Sequence, residues 1–137
     1  MIVVFDSGVW ISAFHFGGTP LAALDAAVGQ TTIAICSPIL TEIRSTLTMK
    51  FRWQQARVDR SLAQYALDTT FIQTTGSLTG ICRDPKDDMV FECAVLAGAS
   101  AIISGDKDLL TVKVYNGIRV LTPREFLHLH GSQSLVP

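Results

Sequence analysis

The sequence predicts an α/β fold: three layers, helix–sheet–helix, around a mainly parallel five-stranded sheet. Three observations lead there. Short apolar β-type runs recur along the chain, with little of the polar alternation a half-exposed strand shows. Segments with helical spacing separate them. Proline, glycine and small capping residues punctuate the junctions where a strand hands over to a helix. Strands alternating with helices throughout give a parallel sheet covered on both faces.

In order, Ile2-Val3-Val4-Phe5 is a first buried strand, broken by Asp6-Ser7-Gly8. Val9 to Phe14 is a short helix. Gly17-Gly18-Thr19-Pro20 is a loop, with Thr19 expected as N-cap and Pro20 at the first helical position of a helix over Leu21 to Val28. Thr32 to Cys36 is the second strand. Ser37-Pro38 opens a helix whose Ile39, Ile43 and Leu47 share a face. A further helix is expected over Gln54 to Leu67, then a strand over Phe71 to Thr74. Asp84-Pro85 starts a helix that runs to Ala97, with Gly98 as its stop. Ala101 to Ser104 is another buried strand, ending at Gly105-Asp106. Ile118 to Leu121 is the last, and Thr122-Pro123 opens a final helix. One domain is expected over residues 1–130, with a polar, flexible tail over 131–137.

Composition narrows the function classes. At 137 residues, 48% hydrophobic and 17% charged, the chain can bury a core without disulfide or metal staples. No apolar run reaches the roughly 18 residues of a membrane span. The opening strand lacks a basic flank and meets Asp6 at once, unlike a signal peptide. Cys36, Cys82 and Cys93 are odd in number and lack CxxC spacing, which fits free thiols in a reducing cytoplasm. A net charge of −1 excludes nucleic-acid binding by global charge. It leaves room for a nuclease, whose acidic centre and local basic patch cancel in the sum.

The acids are nine Asp and three Glu, although Glu is the better helix former. Their placement is informative. In open parallel sheets the ligand site lies beyond the carboxyl ends of the strands. Asp6 ends one strand and Asp106 follows another. Glu42 lies one turn into the helix after the second strand, and Asp84, Asp87 and Asp88 start a helix that reaches the same edge. Each acid alone has a plain use as cap, dipole partner or turn residue. Four segments converging on one rim have a shared one. Crowded carboxylates repel and resist ionisation, and a hard divalent cation such as Mg²⁺ or Mn²⁺ relieves both costs.

The motifs Val4-Phe5-Asp6-Ser7-Gly8-Val9-Trp10, Pro38-Ile39-Leu40-Thr41-Glu42, Arg83-Asp84-Pro85-Lys86-Asp87-Asp88 and Ser104-Gly105-Asp106-Lys107-Asp108-Leu109 resemble those of the PIN-domain family. The chain is similar to the bacterial branch of toxin components from toxin–antitoxin pairs, over about residues 1–127. The resemblance implies a Mg²⁺- or Mn²⁺-dependent endoribonuclease that hydrolyses RNA phosphodiesters by in-line attack of water, leaving 5′-phosphate and 3′-hydroxyl ends. Carried over by position, Asp6, Glu42, Asp87 and Asp106 are its catalytic and metal-holding acids, with Asp88 an alternative to Asp87. Glu92 lies about 140° around the helix from Asp87 and one turn beyond Asp88, so it is an accessory candidate. Ser7 and Ser104 match small polar positions that can bond a carboxylate, a phosphate or local backbone. Asp84 and Asp108 read as caps. The family usually carries Asn two residues after its first acid; Gly8 stands there instead, which bears on metal affinity and turnover. The resemblance further implies a cognate antitoxin and a homodimer as partners.

Other features have competing uses. Lys50-Phe51-Arg52-Trp53 with Arg57 is a basic-aromatic cluster suited to RNA, through Arg52, Trp53 and Arg57, or a solvated helix junction, or an antitoxin or dimer contact. His15, between Phe14 and Phe16, is either a packed residue or one that approaches substrate. Two rivals to the nuclease remain: a catalytically weak or inactive PIN-fold binding protein, and a phosphatase-like hydrolase with Asp6 as nucleophile. The latter wants a second Asp where Gly8 stands.

Overall fold

The computed structural model describes residues 1–131. The last six residues, and with them almost all of the expected tail, lie outside the described residues. Strand β1 (Ile2–Phe5) is followed by α1 (Ser7–His15) and α2 (Gly18–Ala27). Next come β2 (Thr32–Cys36) and α3 (Ser37–Ser45), which runs on into a π-helical turn over Thr46–Lys50. Helix α4 (Gln55–Ala63) leads to β3 (Thr69–Ile72). Helix α5 (Pro85–Ala97), β4 (Ala101–Ile103), α6 (Lys107–Val112), β5 (Val114–Tyr115), β6 (Ile118–Leu121) and α7 (Pro123–Phe126) complete the chain.

The sheet order is β3-β2-β1-β4-β6-β5. Five strands run parallel, with Val3 opposite Ile33 on one side and Ala101 on the other. Helix α5 packs on β1, β2, β3 and β4, whereas α1, α2, α3 and α7 pack on one another in the second layer. The central strand is therefore covered on both faces, and Val3, Val4 and Phe5 are fully buried. That is why β1 reads as an unbroken apolar run. Phe5 meets Trp10 and Phe126 edge-on at 6.2 and 5.8 Å, tying the strand to α1 and α7.

The expected architecture holds, with two additions, the short helix α6 after Asp106 and a sixth strand. A sixth strand, β5, pairs antiparallel with β6. Asn116 (φ 51) and Gly117 (φ 77) make the turn between them. Asn-Gly is the residue pair that a two-residue hairpin with left-handed backbone selects. Two boundaries also differ. Helix α2 starts at Gly18, with Gly17 rather than Thr19 in the cap position, because Gly17 (φ 77) and Gly18 (φ 62) turn the chain immediately after α1. Helix α4 ends at Ala63, and a 3₁₀ turn over Ala66–Asp68 delivers the chain to β3 earlier than expected.

Candidate metal centre

Chain direction across the sheet reverses at β1, which has β2 on one side and β4 on the other. The crevice beyond the β1 and β4 carboxyl ends is the topological switch point, where open α/β sheets bind their ligands. A cleft of about 390 Å³ opens there. Asp6, Glu42, Asp87 and Asp106 all line it, together with Ser7, Gly8 and Lys86.

Each acid is placed by local structure. Asp6 leaves β1 with its N–H bonded to Ile103 O at 3.0 Å. Its Oδ1 caps α1 by accepting Val9 N–H at 2.9 Å. Its other oxygen accepts the Ser104 hydroxyl. Ser104 is fully buried, and the same hydroxyl accepts Asp106 N–H at 2.9 Å. One serine thus joins the two strand ends that carry the first and last acids. Asp106 caps α6 through Asp108 N–H at 2.7 Å. Asp87 stands in the first turn of α5, behind the Asp84 cap and Pro85. Glu42 is exposed on α3 and lines the cleft.

The electrostatics follow from this crowding. Burial pushes Asp6 up from 3.8 to about 6; the Ser104 and Val9 bonds pull it back, and the charges of Asp106 and Glu42 add to the rise. Asp87 is also pushed up to about 6, by burial first and then by Asp106, Asp84, Asp6 and Asp108. The same surroundings push the Cys82 thiol up to about 12, through burial and then the Asp88 and Asp87 charges. Cys82 is therefore no thiolate nucleophile at neutral pH. Asp87, Asp106 and Asp108 can each offer an oxygen such that all lie within 4.8 Å of one another. An all-oxygen set of crowded carboxylates suits a hard divalent cation of the Mg²⁺ or Mn²⁺ kind.

Asp88 and Glu92 are buried on α5, and their oxygens are taken by backbone N–H groups of the 75–82 loop. Ser7 lines the cleft beside Asp6. Trp53 is 7% exposed, with the Arg57 guanidinium 3.6 Å above its ring. Arg52 is exposed, in left-handed backbone at φ 60. The sequence reading passed over two residues. Asp108 reads as a cap, yet it joins the acidic group while Asp106 does the capping; the signal was two acids two apart at a strand-to-helix turn. Lys86 is a cation lining the cleft, marked only by its place between Asp84 and Asp87.

Fold and site together define an α/β domain with an acidic cleft at the switch point of its sheet. Residues 2–108 match the model of the PIN domain, and the chain belongs to the PIN-domain family. It is 30% identical over 139 aligned positions to "Uncharacterized protein MJ1680" of Methanocaldococcus jannaschii, covering 91% of this chain and 88% of that protein. Among solved structures it is similar to a chain in "Crystal structure of VapBC2 from Rickettsia felis bound to a DNA fragment from their promoter". The TM-score is 0.65 at 14% identity, over 89% of this chain and 98% of that one. At that identity the likeness is one of fold.

Proposed function

We propose that residues 1–130 form a metal-dependent endoribonuclease, the toxin of a toxin–antitoxin pair of the bacterial type, acting in the cytoplasm. The observation that carries this reading is the convergence of Asp6, Glu42, Asp87 and Asp106 on one cleft, with two of the four carboxyls pushed up to about 6. Asp6, Asp87 and Asp106, aided by Asp108, would hold Mg²⁺ or Mn²⁺. A bound cation would polarise the phosphate and make water a competent nucleophile. The chain's own groups do the rest. Ser104 fixes the Asp6 carboxylate relative to Asp106. Glu42, which lines the same cleft, would complete the metal-holding set and help to orient the attacking water. Lys86 offers a positive charge to the phosphate as it enters an otherwise anionic cleft.

The Rickettsia felis neighbour is VapBC2 bound to a DNA fragment from its promoter. That supports a cognate antitoxin for this chain; a homodimer is the further partner. The test is cleavage of a labelled single-stranded RNA pool with Mn²⁺, Mg²⁺ or EDTA, beside an Asp6→Asn, Asp87→Asn double variant. Metal-dependent cleavage that disappears in the variant supports the reading. Absence of both cleavage and Mn²⁺ binding by calorimetry refutes it. A second reading, a PIN-fold binding protein with little or no catalysis, is favoured by Gly8, which leaves no amide beside Asp6. Mn²⁺ binding without cleavage of any RNA in the pool would select it.

A further inference from the structure

Away from the acids, a cluster of rings stands at the surface, with Phe51 partly packed on the core and His15 and Phe16 exposed. Phe16, directly after α1, is 72% exposed. The Gly17 turn holds it there (φ 77). Its ring meets His15 edge-on at 4.6 Å and Phe51 at 6.0 Å, and His15 stacks on Phe51 at 3.9 Å and 26°. The base of the cluster is fixed: buried Trp53 donates its Nε1–H to His15 Nδ1 at 3.2 Å. One exposed apolar residue means little. Three rings ordered against one another, on a hydrogen-bonded footing, form a prepared surface.

Charge and position identify what the surface takes. Residues 43–58 carry Arg44, Lys50, Arg52 and Arg57 and no acid. Arg44 is paired with Asp59. Lys50 sits 5.4 Å from the Phe51 ring centre, and Arg57 lies over Trp53. The surface at the C-terminal end of α1 is cationic and aromatic, whereas the N-terminal end of α1 opens on the acidic cleft. Helix α1 connects them. Gly8 and Ser12 line the cleft, and His15 and Phe16 follow at helical spacing on the same face. From Asp6 to Phe16 the helix rises about 15 Å, a span that a few nucleotides of single strand cross. Helix α3 and its π-helical turn run alongside from Glu42 to Met49, which is 81% exposed.

We propose that His15, Phe16 and Phe51 form a base-stacking subsite for single-stranded RNA, with Lys50, Arg52 and Arg57 on the adjoining phosphates. The subsite rests on the ribonuclease reading and deepens it: a strand whose scissile phosphate enters the cleft lays a nearby base on the Phe16 ring. Trp53 supports the shelf from below. Every base has a π-face, so the subsite selects unpaired strands rather than a sequence.

The test is fluorescence anisotropy in EDTA, which keeps the strand intact. The probes are a labelled single-stranded oligoribonucleotide and a strand of equal length with abasic residues. The proteins are the parent, Phe16→Ala, Phe16→Leu, Lys50→Ala, and Phe71→Ala as a control at an exposed phenylalanine on β3. The parent is expected to prefer the strand with bases. Phe16→Ala and Phe16→Leu should both weaken that strand about ten-fold while leaving the abasic strand unchanged. Lys50→Ala should weaken both strands and lower the salt slope by about 0.7. Phe71→Ala should change neither. Phe16 variants that bind both strands as the parent does overturn the proposal. So does a parent that binds the two strands alike. Loss of a co-purifying protein partner with RNA binding unchanged also overturns it, since the surface is then a protein interface. Mn²⁺-dependent cleavage by the parent, measured in parallel, separates the two readings. Cleavage without a Phe16 effect removes the subsite alone, and a Phe16 effect without cleavage removes the catalytic reading alone.

Discussion

Asp87 and Asp88 are adjacent on the first turn of α5, and they differ in the hydrogen bonds they accept. Asp88 accepts backbone N–H from Gly80 at 3.0 Å, Ile81 at 3.2 Å and Cys82 at 2.7 Å. One turn on, Glu92 accepts from Thr75, Gly76 and Leu78. Those bonds, with Leu78 foremost, hold Glu92 below the usual carboxylate range. Asp87 accepts no backbone N–H among the described residues and is pushed up to about 6. The number of N–H groups aimed at the oxygens, more than depth, separates an acid that organises a loop from one left free for a cation. The helix carries both kinds because its N-terminus opens on the cleft while its next face meets the 75–82 loop.

The sharpest test of the contrast exchanges the two effects. Asp87→Asn should lower metal-dependent cleavage by at least about a hundred-fold while leaving the denaturant midpoint unchanged or higher. Asp88→Ala should cost about 2–4 kcal/mol in urea unfolding, because three loop N–H groups lose a charged acceptor. Glu92→Ala should fall in the same range. Should Asp88→Ala keep full stability and lose Mn²⁺ binding by calorimetry, the two aspartates have exchanged roles and the contrast fails.

The sequence carried most of the architecture because its signals were local. Apolar runs marked buried strands, and Asp84-Pro85, Gly98 and Thr122-Pro123 marked helix ends, each with a physical reason a single segment supplies. The capping box of Thr122 and Glu125 is visible as a four-residue pattern. Strand β5 was missed because two residues are too few for a period, although Asn116-Gly117 announced its turn. The acid rim was legible because strand ends share an edge by topology. What could not be read were directions around a helix. Asp87 against Asp88 is decided by which way α5 rolls on the sheet, a property of packing with β1, β2 and β4. Phe16 likewise gives no sign in sequence of standing outside the core that holds Phe5 and Phe91.

The contrast predicts a pH profile of two opposed limbs. Asp6 and Asp87 have folded values near 6, above their unfolded 3.8. Their neutral forms favour the folded state, so this contribution is fully present below 3.8 and is lost as pH rises through about 6. For buried Asp6 the cost at neutral pH is about 3 kcal/mol; Asp87 is more exposed and contributes less, through solvent screening. Glu92 has the reverse sign, with stability present above its ordinary range and lost as pH falls through its lowered value. The metal-free Tm should therefore rise from pH 7 to about 5 and fall in stronger acid. Added Mn²⁺ should raise Tm more at pH 7.5 than at 5.5, because protons compete for the same oxygens. Asp6→Asn keeps the cap on α1, removes the charge and should raise the metal-free Tm at pH 7 by about 3–8 °C. A flat metal-free profile would mean that the crowded acids carry no stored cost.

The smallest expected effect sits at Gly8, two residues after Asp6 in the lining of the cleft. A Cβ there would lie 3.4 Å from Asp6 Oδ1, and Gly8 occupies ordinary helical backbone in α1, so Asn fits with a slight adjustment of one side chain. Its amide would stand beside the carboxylate whose donors among the described residues are Val9 and Ser104. A third donor favours the ionised form, which is the form a cation needs. Gly8→Asn should tighten Mn²⁺ about three- to ten-fold by calorimetry, worth about 1 kcal/mol, and move the metal-free Tm by only a degree or two. Gly8→Ala supplies the helix-forming gain without the amide. Equal tightening in both variants would assign the effect to a stiffer α1, whereas tightening in Asn alone would extend the Asp87–Asp88 rule to Asp6: donors aimed at a carboxylate set how readily it serves a metal.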